Sequence, residues 1–525
     1  MQYRNPVLPG FHPDPSVCRV GGTFYLVTSS FHYFPGLPVW RSSNLVEWEL
    51  IGHGISSREQ LDLSGTPASR GLFAPTIREY RGRFYITCTE EDRLGNFIIQ
   101  AERPEGPWSK PLPIAQRGID PSLFFDEDGK AYLCTGGEVG DLTAGPGHGE
   151  PGEGESGFGI ALSVIDPDSG EMLEGPRLIS RGSGGRWPEG PHLYRRDGRY
   201  YLLLAEGGTE YGHMATVFRA DSPWGPWEAC PRNPILSHRD CARSPIQCVG
   251  HGDIVDDGGG NSWMLCLGVR PLGPPLHNLG RETFLAPLTW DAEGWPVVGR
   301  GGRLESEMDG PLPGDGAASV EPGCAVAGWR DEFRGPKLSR EWSFLRGRPE
   351  GLALTETHGG LVLEGGEAGL SDETATPAFV GRPQSAFDCV FEATMEFEPG
   401  AEGSEAGVAA YYDDSYHYEA FVARRGGGRA ACLRKRVHDI VVEGPAVPLP
   451  EKGRVRLKIS ADRDLYSFSC ECDASHFRLG TGMTAGLCTE GTWRQTFTGV
   501  FFGLYCRRGR AVFSDVSCVD RGGGR

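Results

Sequence analysis

Five times within its first 270 residues the chain repeats one short phrase: Asp14-Pro15-Ser16-Val17, Ala74-Pro75-Thr76-Ile77, Asp120-Pro121-Ser122-Leu123, Gly190-Pro191-His192-Leu193 and His251-Gly252-Asp253-Ile254. After each comes a turn rich in Gly and Asp, then an aromatic strand such as Phe24-Tyr25-Leu26 or Tyr200-Tyr201-Leu202. From Val17 to Tyr25, Ile77 to Tyr85 and Leu193 to Tyr201 the count is eight residues; Leu123 to Tyr132 and Ile254 to Trp263 take nine. Short strands recurring every 46 to 70 residues predict a β-propeller of five blades. A repeated scaffold holds equivalent residues at equivalent places, so chemistry is to be sought where the copies differ.

At 525 residues the chain exceeds one hydrophobic core, and a second domain is expected. The 78 Gly and 40 Pro, with helical periodicity nowhere sustained, make it all-β. Residues 1–303 hold the propeller. Residues 304–328 turn to Gly, Pro, Ala and acid and read as a linker or wrapped connector. From 329 to 525, segments such as Phe391–Phe397 and Val455–Ile459 alternate with period two, predicting a β-sandwich. Phe97–Gln100 and Thr216–Arg219 are expected as outer blade strands. The similar phrases Pro104–Trp108 and Pro223–Trp227 are expected as equivalent turns between blades. Thr135–Gly157 reads as a mobile surface insertion.

A formal charge of −18 disfavours nucleic acid and anionic membranes as partners and is compatible with a neutral substrate such as carbohydrate. The cysteines lack zinc-finger spacing, and Cys88, Cys134, Cys266 and Cys506 read as buried free thiols. The first strand motif begins within about a dozen residues of Met1, which leaves no room for a signal peptide, and a cytoplasmic location is expected.

The innermost strand of each blade lines the channel, so the residues opening the five repeats should converge. Blades one and three bring Asp14 and Asp120; blade four brings Glu189, one place early; blade five brings His251; blade two has Ala74. Three carboxylates in one pocket repel, and at least one should have a raised pKa. Glycoside hydrolysis needs that division, with one carboxylate ionised and one protonated. Asp-Pro-Ser is also ordinary turn chemistry, with Asp capping backbone amides. A pure turn role would not place Ala74 or Glu189 in the same column. His251 reads as a structural residue at the axis in preference to a metal ligand, since no second ligand-spaced cluster accompanies it.

The phrases Asn5–Ser16, Phe31-His32-Tyr33-Phe34-Pro35-Gly36, Ala74–Arg78, Glu189–His192, Ala205–His213, Gly250–Asp253 and Leu279–Thr283 together resemble glycoside hydrolase family 43, in particular its β-xylosidase branch with a C-terminal sandwich. The resemblance implies a five-bladed propeller followed by a concanavalin-like sandwich. It implies an inverting mechanism, with Asp14 as general base, Glu189 as general acid, and Asp120 orienting Glu189 and keeping its pKa high. Inversion implies carboxyls of Asp14 and Glu189 about 6.5–9.5 Å apart. The same resemblance carries substrate contacts to Phe31, Thr209 and Arg281, and to Phe497 as a residue sent across from the sandwich, with His251 beside them. Phe73 stands where relatives often have Trp, a departure that bears on the choice between xylose and arabinose.

The expected activity is exo-acting release of terminal β-D-xylose from xylo-oligosaccharides, with α-L-arabinofuranosidase activity as a second or predominant activity. No cofactor is required, a structural calcium near His251 is allowed, and so is a homo-oligomer. A fructosidase-type propeller is disfavoured by His12-Pro13-Asp14-Pro15-Ser16. A non-catalytic glycan-binding propeller would not need three acids in the column.

Overall fold

The computed structural model describes residues 1–142, 157–314, 328–355, 359–400, 402–473, 475–492, 494 and 496–522. Five antiparallel sheets form the blades of the propeller, four of them four-stranded and the fourth blade carrying a fifth short strand, Leu236–Ser237, on Met214–Ala220. Their innermost strands are Ser16–Val20, Thr76–Tyr80, Ile119–Phe125, Glu189–Arg196 and Gln247–Asp256. Each packs against the innermost strand of the next blade, and Gln247–Asp256 packs against Ser16–Val20 to close the ring. The N-terminal segment reinforces that closure. Gln2–Arg4 pairs with Glu307–Asp309, and the Asn5 amide donates to the Leu285 carbonyl at 2.9 Å. Part of the expected linker is thus a strand wrapped onto the chain start, while residues 315–327 lie outside the described residues.

The repeat fixes the hairpins. Val17 faces Leu26, Ile77 faces Ile86 and Leu193 faces Leu202, so the spacing read from the sequence is the register of the first two strands. Phe97–Gln100 and Thr216–Arg219 lie in the third strands Gly95–Ala101 and Met214–Ala220. The turn phrases sit elsewhere than expected. Pro104–Trp108 and Pro223–Trp227 join third to fourth strands inside blades two and four, not one blade to the next. Periodicity alone does not distinguish those two connections.

The insertion also needs correction. Thr135 to Glu138 complete the strand Ala131–Glu138, and Val139–Leu142 is a short helix burying Val139 and Leu142. Gly136 is there for close packing. A Cβ on it would lie 2.9 Å from the Pro188 carbonyl oxygen and 3.1 Å from the Glu189 Cα. The expected mobility of the remainder, residues 143–156, falls outside the described residues.

The C-terminal domain is a concanavalin-like sandwich. One sheet runs Gly351–Leu354, Leu361–Gly365, Gly509–Asp520, Cys389–Glu396, Arg454–Ala461, Leu465–Cys472 and Ser475–Met483. The other runs Ala378–Pro383, Phe501–Arg507, Glu405–Asp413, Tyr416–Arg425, Gly428–Val437 and Ile440–Glu443. Arg454–Ala461 alternates buried and half-exposed residues as the sequence predicts, whereas Glu405–Asp413 is buried throughout. The second sheet is covered on both faces: one packs on the first sheet, where Phe391 and Phe502 stack at 5.3 Å, and the other packs on the propeller.

That second contact holds the domains together. Tyr33–Phe34 leaves blade one to pair with Phe344–Leu345, and Tyr33 stacks on Phe501 with centroids 3.9 Å apart. Phe11, Phe31 and Tyr33 share one apolar cluster with Phe379, Tyr411 and Phe501. Buried Arg346 donates to the Thr66 carbonyl at 2.6 Å and the Ala375 carbonyl at 2.8 Å. Each large side chain in such a seam contributes about 1.5–3 kcal/mol, which fixes one domain over the other.

Candidate active site

Four of the five residues that open the repeats have left-handed backbone: Asp14 (φ +54°), Asp120 (φ +56°), Gly190 (φ +54°) and His251 (φ +44°). In blades three, four and five the ladder slips there, between Ile119 and Ser122, Glu189 and His192, and Gly250 and Gly252. Bulges of this kind re-aim a side chain away from the regular alternation. They explain the offset in blade four. A Cβ on Gly190 would stand 2.9 Å from Nε2 of His251, so the column position must be glycine and the acid moves to Glu189.

The acids lie in different surroundings. Asp14 is buried; its Oδ2 accepts a close hydrogen bond from the Ser29 hydroxyl, and its Oδ1 accepts one from Arg281 Nη1 at 2.7 Å. Asp120 accepts the Gly190 N–H at 3.0 Å, which ties it to the residue after Glu189. Neither acid caps its own turn in these bonds. Burial raises the Asp120 pKa, opposed by His251 and reinforced by the Asp14 carboxylate. Glu189 is pushed well above the usual carboxylate range, first by loss of hydration and then by Asp120 and Asp14, with Arg281 acting in the opposite sense. One acid is thus held by a guanidinium and another is biased toward its protonated form, the pairing that a proton-donor and proton-acceptor couple requires.

Arg281 is drawn away from its sequence neighbour. Glu282 instead binds Arg270 through two contacts of 2.7 Å and accepts the Gly10 N–H at 2.7 Å. Three phenylalanines wall the same corner. Phe31 lies 5.3 Å from Phe73 and stacks on Phe497 at 5.5 Å, while the Arg281 guanidinium stands 5.6 Å from Phe31 and 5.4 Å from Phe497. Phe497 is brought there by the sandwich, and its N–H donates to Ser69 Oγ at 3.0 Å. Thr209 stands three residues past the strand Arg199–Glu206, whose Ala205 pairs with Glu189. Its hydroxyl oxygen is buried without a protein partner.

His251 packs on the Gly190 backbone, its Nδ1 3.9 Å from Asp14 Oδ1. Among the described residues no three His, Cys, Asp or Glu side chains stand together as a ligand set. A calcium beside His251 would therefore take most of its oxygen ligands from water.

One step further along the same strands lies a network that the sequence reading did not assemble. Asp253, fully buried, accepts from Arg78 Nη1 at 2.8 Å and Nη2 at 3.2 Å, from Ser16 Oγ at 2.8 Å, from the Val17 N–H at 2.9 Å and from the Tyr194 hydroxyl at 2.6 Å. Burial works to raise its pKa, but Arg78, His192 and these hydrogen bonds hold it well below the usual range. His192 contacts Arg78 at 3.0 Å and Ser122 at 2.9 Å, and burial lowers its pKa to about 3. All five blades are represented, and beside Arg78 in blade two the Ile77 N–H donates to Ser16 Oγ at 3.1 Å. The signal was present two places after each column residue, at Ser16, Thr76, Ser122, His192 and Asp253. Ser29, the partner of Asp14, left no comparable signal.

Residues 3–296 match the model for glycosyl hydrolases family 43, and residues 330–515 match that for a beta xylosidase C-terminal concanavalin A-like domain. A non-reducing end alpha-L-arabinofuranosidase from Bacteroides ovatus is 40% identical over 510 residues, covering 96% of this chain and 91% of that protein. The xylosidase/arabinosidase 43B of Humicola insolens is 33% identical over 527 residues, covering 96% and 94%. The crystal structure of xylan beta-1,4-xylosidase from Bacillus halodurans C-125 superposes with a TM-score of 0.87 at 30% identity, covering 98% of this chain and 100% of that one. The converging acids, the sandwich packed beside them and a match that spans both domains lead to one conclusion: the chain belongs to glycosyl hydrolases family 43 and is a glycosidase.

Proposed function

We propose that the protein is an exo-acting, inverting glycosidase that releases terminal β-D-xylose from short xylo-oligosaccharides and also accepts α-L-arabinofuranose. The observation that carries this reading is the contrast between Asp14, held by Arg281, and Glu189, whose carboxyl is pushed well up. Asp14 would activate water, Glu189 would protonate the leaving oxygen, and Asp120 would hold Glu189 in position through the Gly190 amide. The reading calls on no cofactor, since the chain supplies base, acid and orienting group. Phe497 closing the pocket from the sandwich supports attack at a chain end. Free thiols at every described cysteine fit a reducing, cytoplasmic setting, in which substrates would be small imported oligosaccharides.

A predominantly arabinofuranosidase activity is the second reading, favoured by the name of the Bacteroides ovatus relative and by Phe73 in the aromatic wall. Hydrolysis of 4-nitrophenyl β-D-xyloside and 4-nitrophenyl α-L-arabinofuranoside by wild type and Glu189→Ala distinguishes these readings. Turnover that depends on Glu189 is expected, and the ratio of the two substrates ranks the activities. A wild type silent on both would return the protein to the glycan-binding reading. Inversion is checked by NMR of the first-formed xylose, which should be the α anomer.

A further inference from the structure

Trp187 is an exposed aromatic residue in a strained place. It is 41% exposed, has a left-handed backbone (φ +49°), and stands two residues before Glu189. Bulky side chains seldom adopt that conformation, because the Cβ crowds the backbone, and two-fifths of this indole still faces solvent. The loop that carries it is strapped down. Glu206, fully buried, accepts the N–H groups of Ser183 at 2.9 Å and Gly185 at 2.8 Å, and the Thr216 hydroxyl at 2.6 Å. The indole lies against Gly208, where a Cβ would fall 2.8 Å from its Cε3, and it meets Phe158 edge-on at 6.5 Å. It is therefore held at the rim between Glu189 and the turn bearing Thr209.

We infer that Trp187 is the platform for the sugar residue on the leaving-group side of the scissile bond. The inference rests on the glycosidase reading of the same site. A general acid at Glu189 touches the glycosidic oxygen, so the sugar attached through that oxygen lies on its side of the pocket. Two residues of chain span at most about 7 Å, which places Trp187 beside that sugar. A neutral pyranose presents a face of C–H bonds, and an indole face, apolar with a negative quadrupole, complements it. The strained backbone is then kept for what the ring does outside the fold.

The test compares wild type, Trp187→Gly and Trp187→Phe on xylotriose and methyl β-D-xyloside, or on the matched arabinofuranosides if that pentose is preferred. Trp187→Gly should lower kcat/KM about ten-fold on the oligosaccharide, a stacking-sized loss, and no more than about two-fold on the methyl glycoside. Trp187→Phe should retain most of the oligosaccharide activity. The Tm of Trp187→Gly should stay within a few degrees of wild type, because relief of the left-handed backbone offsets the lost contacts with Gly208 and Phe158. Equal losses on both substrates, no loss on either, or a clear fall in Tm would overturn the platform and leave the ring as a support for the Gly208 turn. A wild type that hydrolyses neither substrate would overturn the glycosidase reading and the platform with it.

Discussion

Arg281 holds Asp14: its Nη1 donates to Oδ1 at 2.7 Å, and its Nη2 reaches the Phe497 carbonyl at 3.4 Å. One guanidinium thereby joins blade five, the acid of blade one and the residue sent across from the sandwich. Arg281→Lys keeps the charge and loses the planar fork, so Asp14 should shift while the fold persists. The expected result is a fall of about 10²-fold in kcat/KM with a nearly unchanged Tm. Arg281→Ala should in addition destabilise the protein by about 3–5 kcal/mol, because it strands a buried carboxylate. Wild-type kinetics in Arg281→Lys would contradict the positioning role.

Asp120→Asn tests the electrostatics of the acid. Glu189 acts as a proton donor only while protonated, so activity falls as pH rises through its raised pKa. Among the groups that perturb Glu189, Asp120 and Asp14 push its pKa up and Arg281 pulls it down. Removing the Asp120 charge lowers the Glu189 pKa, and the alkaline limb of the kcat/KM profile should move to lower pH. An unmoved limb, or one moved upward, would show that Asp120 does not set the acid.

Asp253 carries a stability prediction of opposite sign. Its folded pKa is depressed by Arg78 and its hydrogen-bond donors, so its contribution is present above the unfolded value of about 3.9 and is lost as pH falls through the folded one. Asp253→Asn should cost about 3–5 kcal/mol near neutral pH, because it leaves Arg78 uncompensated at the axis. Denaturant titrations at neutral and acid pH should show the gap between variant and wild type narrowing in acid. A gap that stays constant would mean that the packing, not the charge, matters there.

Phe497→Ala should reduce kcat/KM about ten-fold with a Tm within a few degrees of wild type. Phe497 stacks at the site on Phe31, whereas the seam between the domains is held by Tyr33, Phe501 and Arg346. Unchanged kinetics would make it a packing residue only.

The column of acids was legible because a repeat turns sequence position into spatial position: five copies with one variable place define a ring before any coordinate is known. Asp253 and His192 lay at one fixed offset from the column, but Arg78 does not share it, and the pairing of these residues across blades is not written in any spacing. Ser29 could not be read as the partner of Asp14, since any hydroxyl on the returning strand would look alike. Trp187 could not be told from the buried Trp263, Trp295 and Trp342, because neither its exposure nor its left-handed backbone is written in the sequence. The glycines near Thr135 looked like disorder because composition does not say whether a missing side chain loosens a loop or admits a neighbouring backbone.

Glu189 delivers a proton to the departing oxygen, and the dependence of rate on the leaving group reads that step out. Glu189→Ala and wild type are compared on xylobiose, whose leaving group needs that proton, and on 2,4-dinitrophenyl β-D-xyloside, whose leaving group does not. In Glu189→Ala, kcat should fall about 10²–10⁴-fold on xylobiose and far less on the dinitrophenyl glycoside. Equal falls on the two substrates would contradict that role of Glu189.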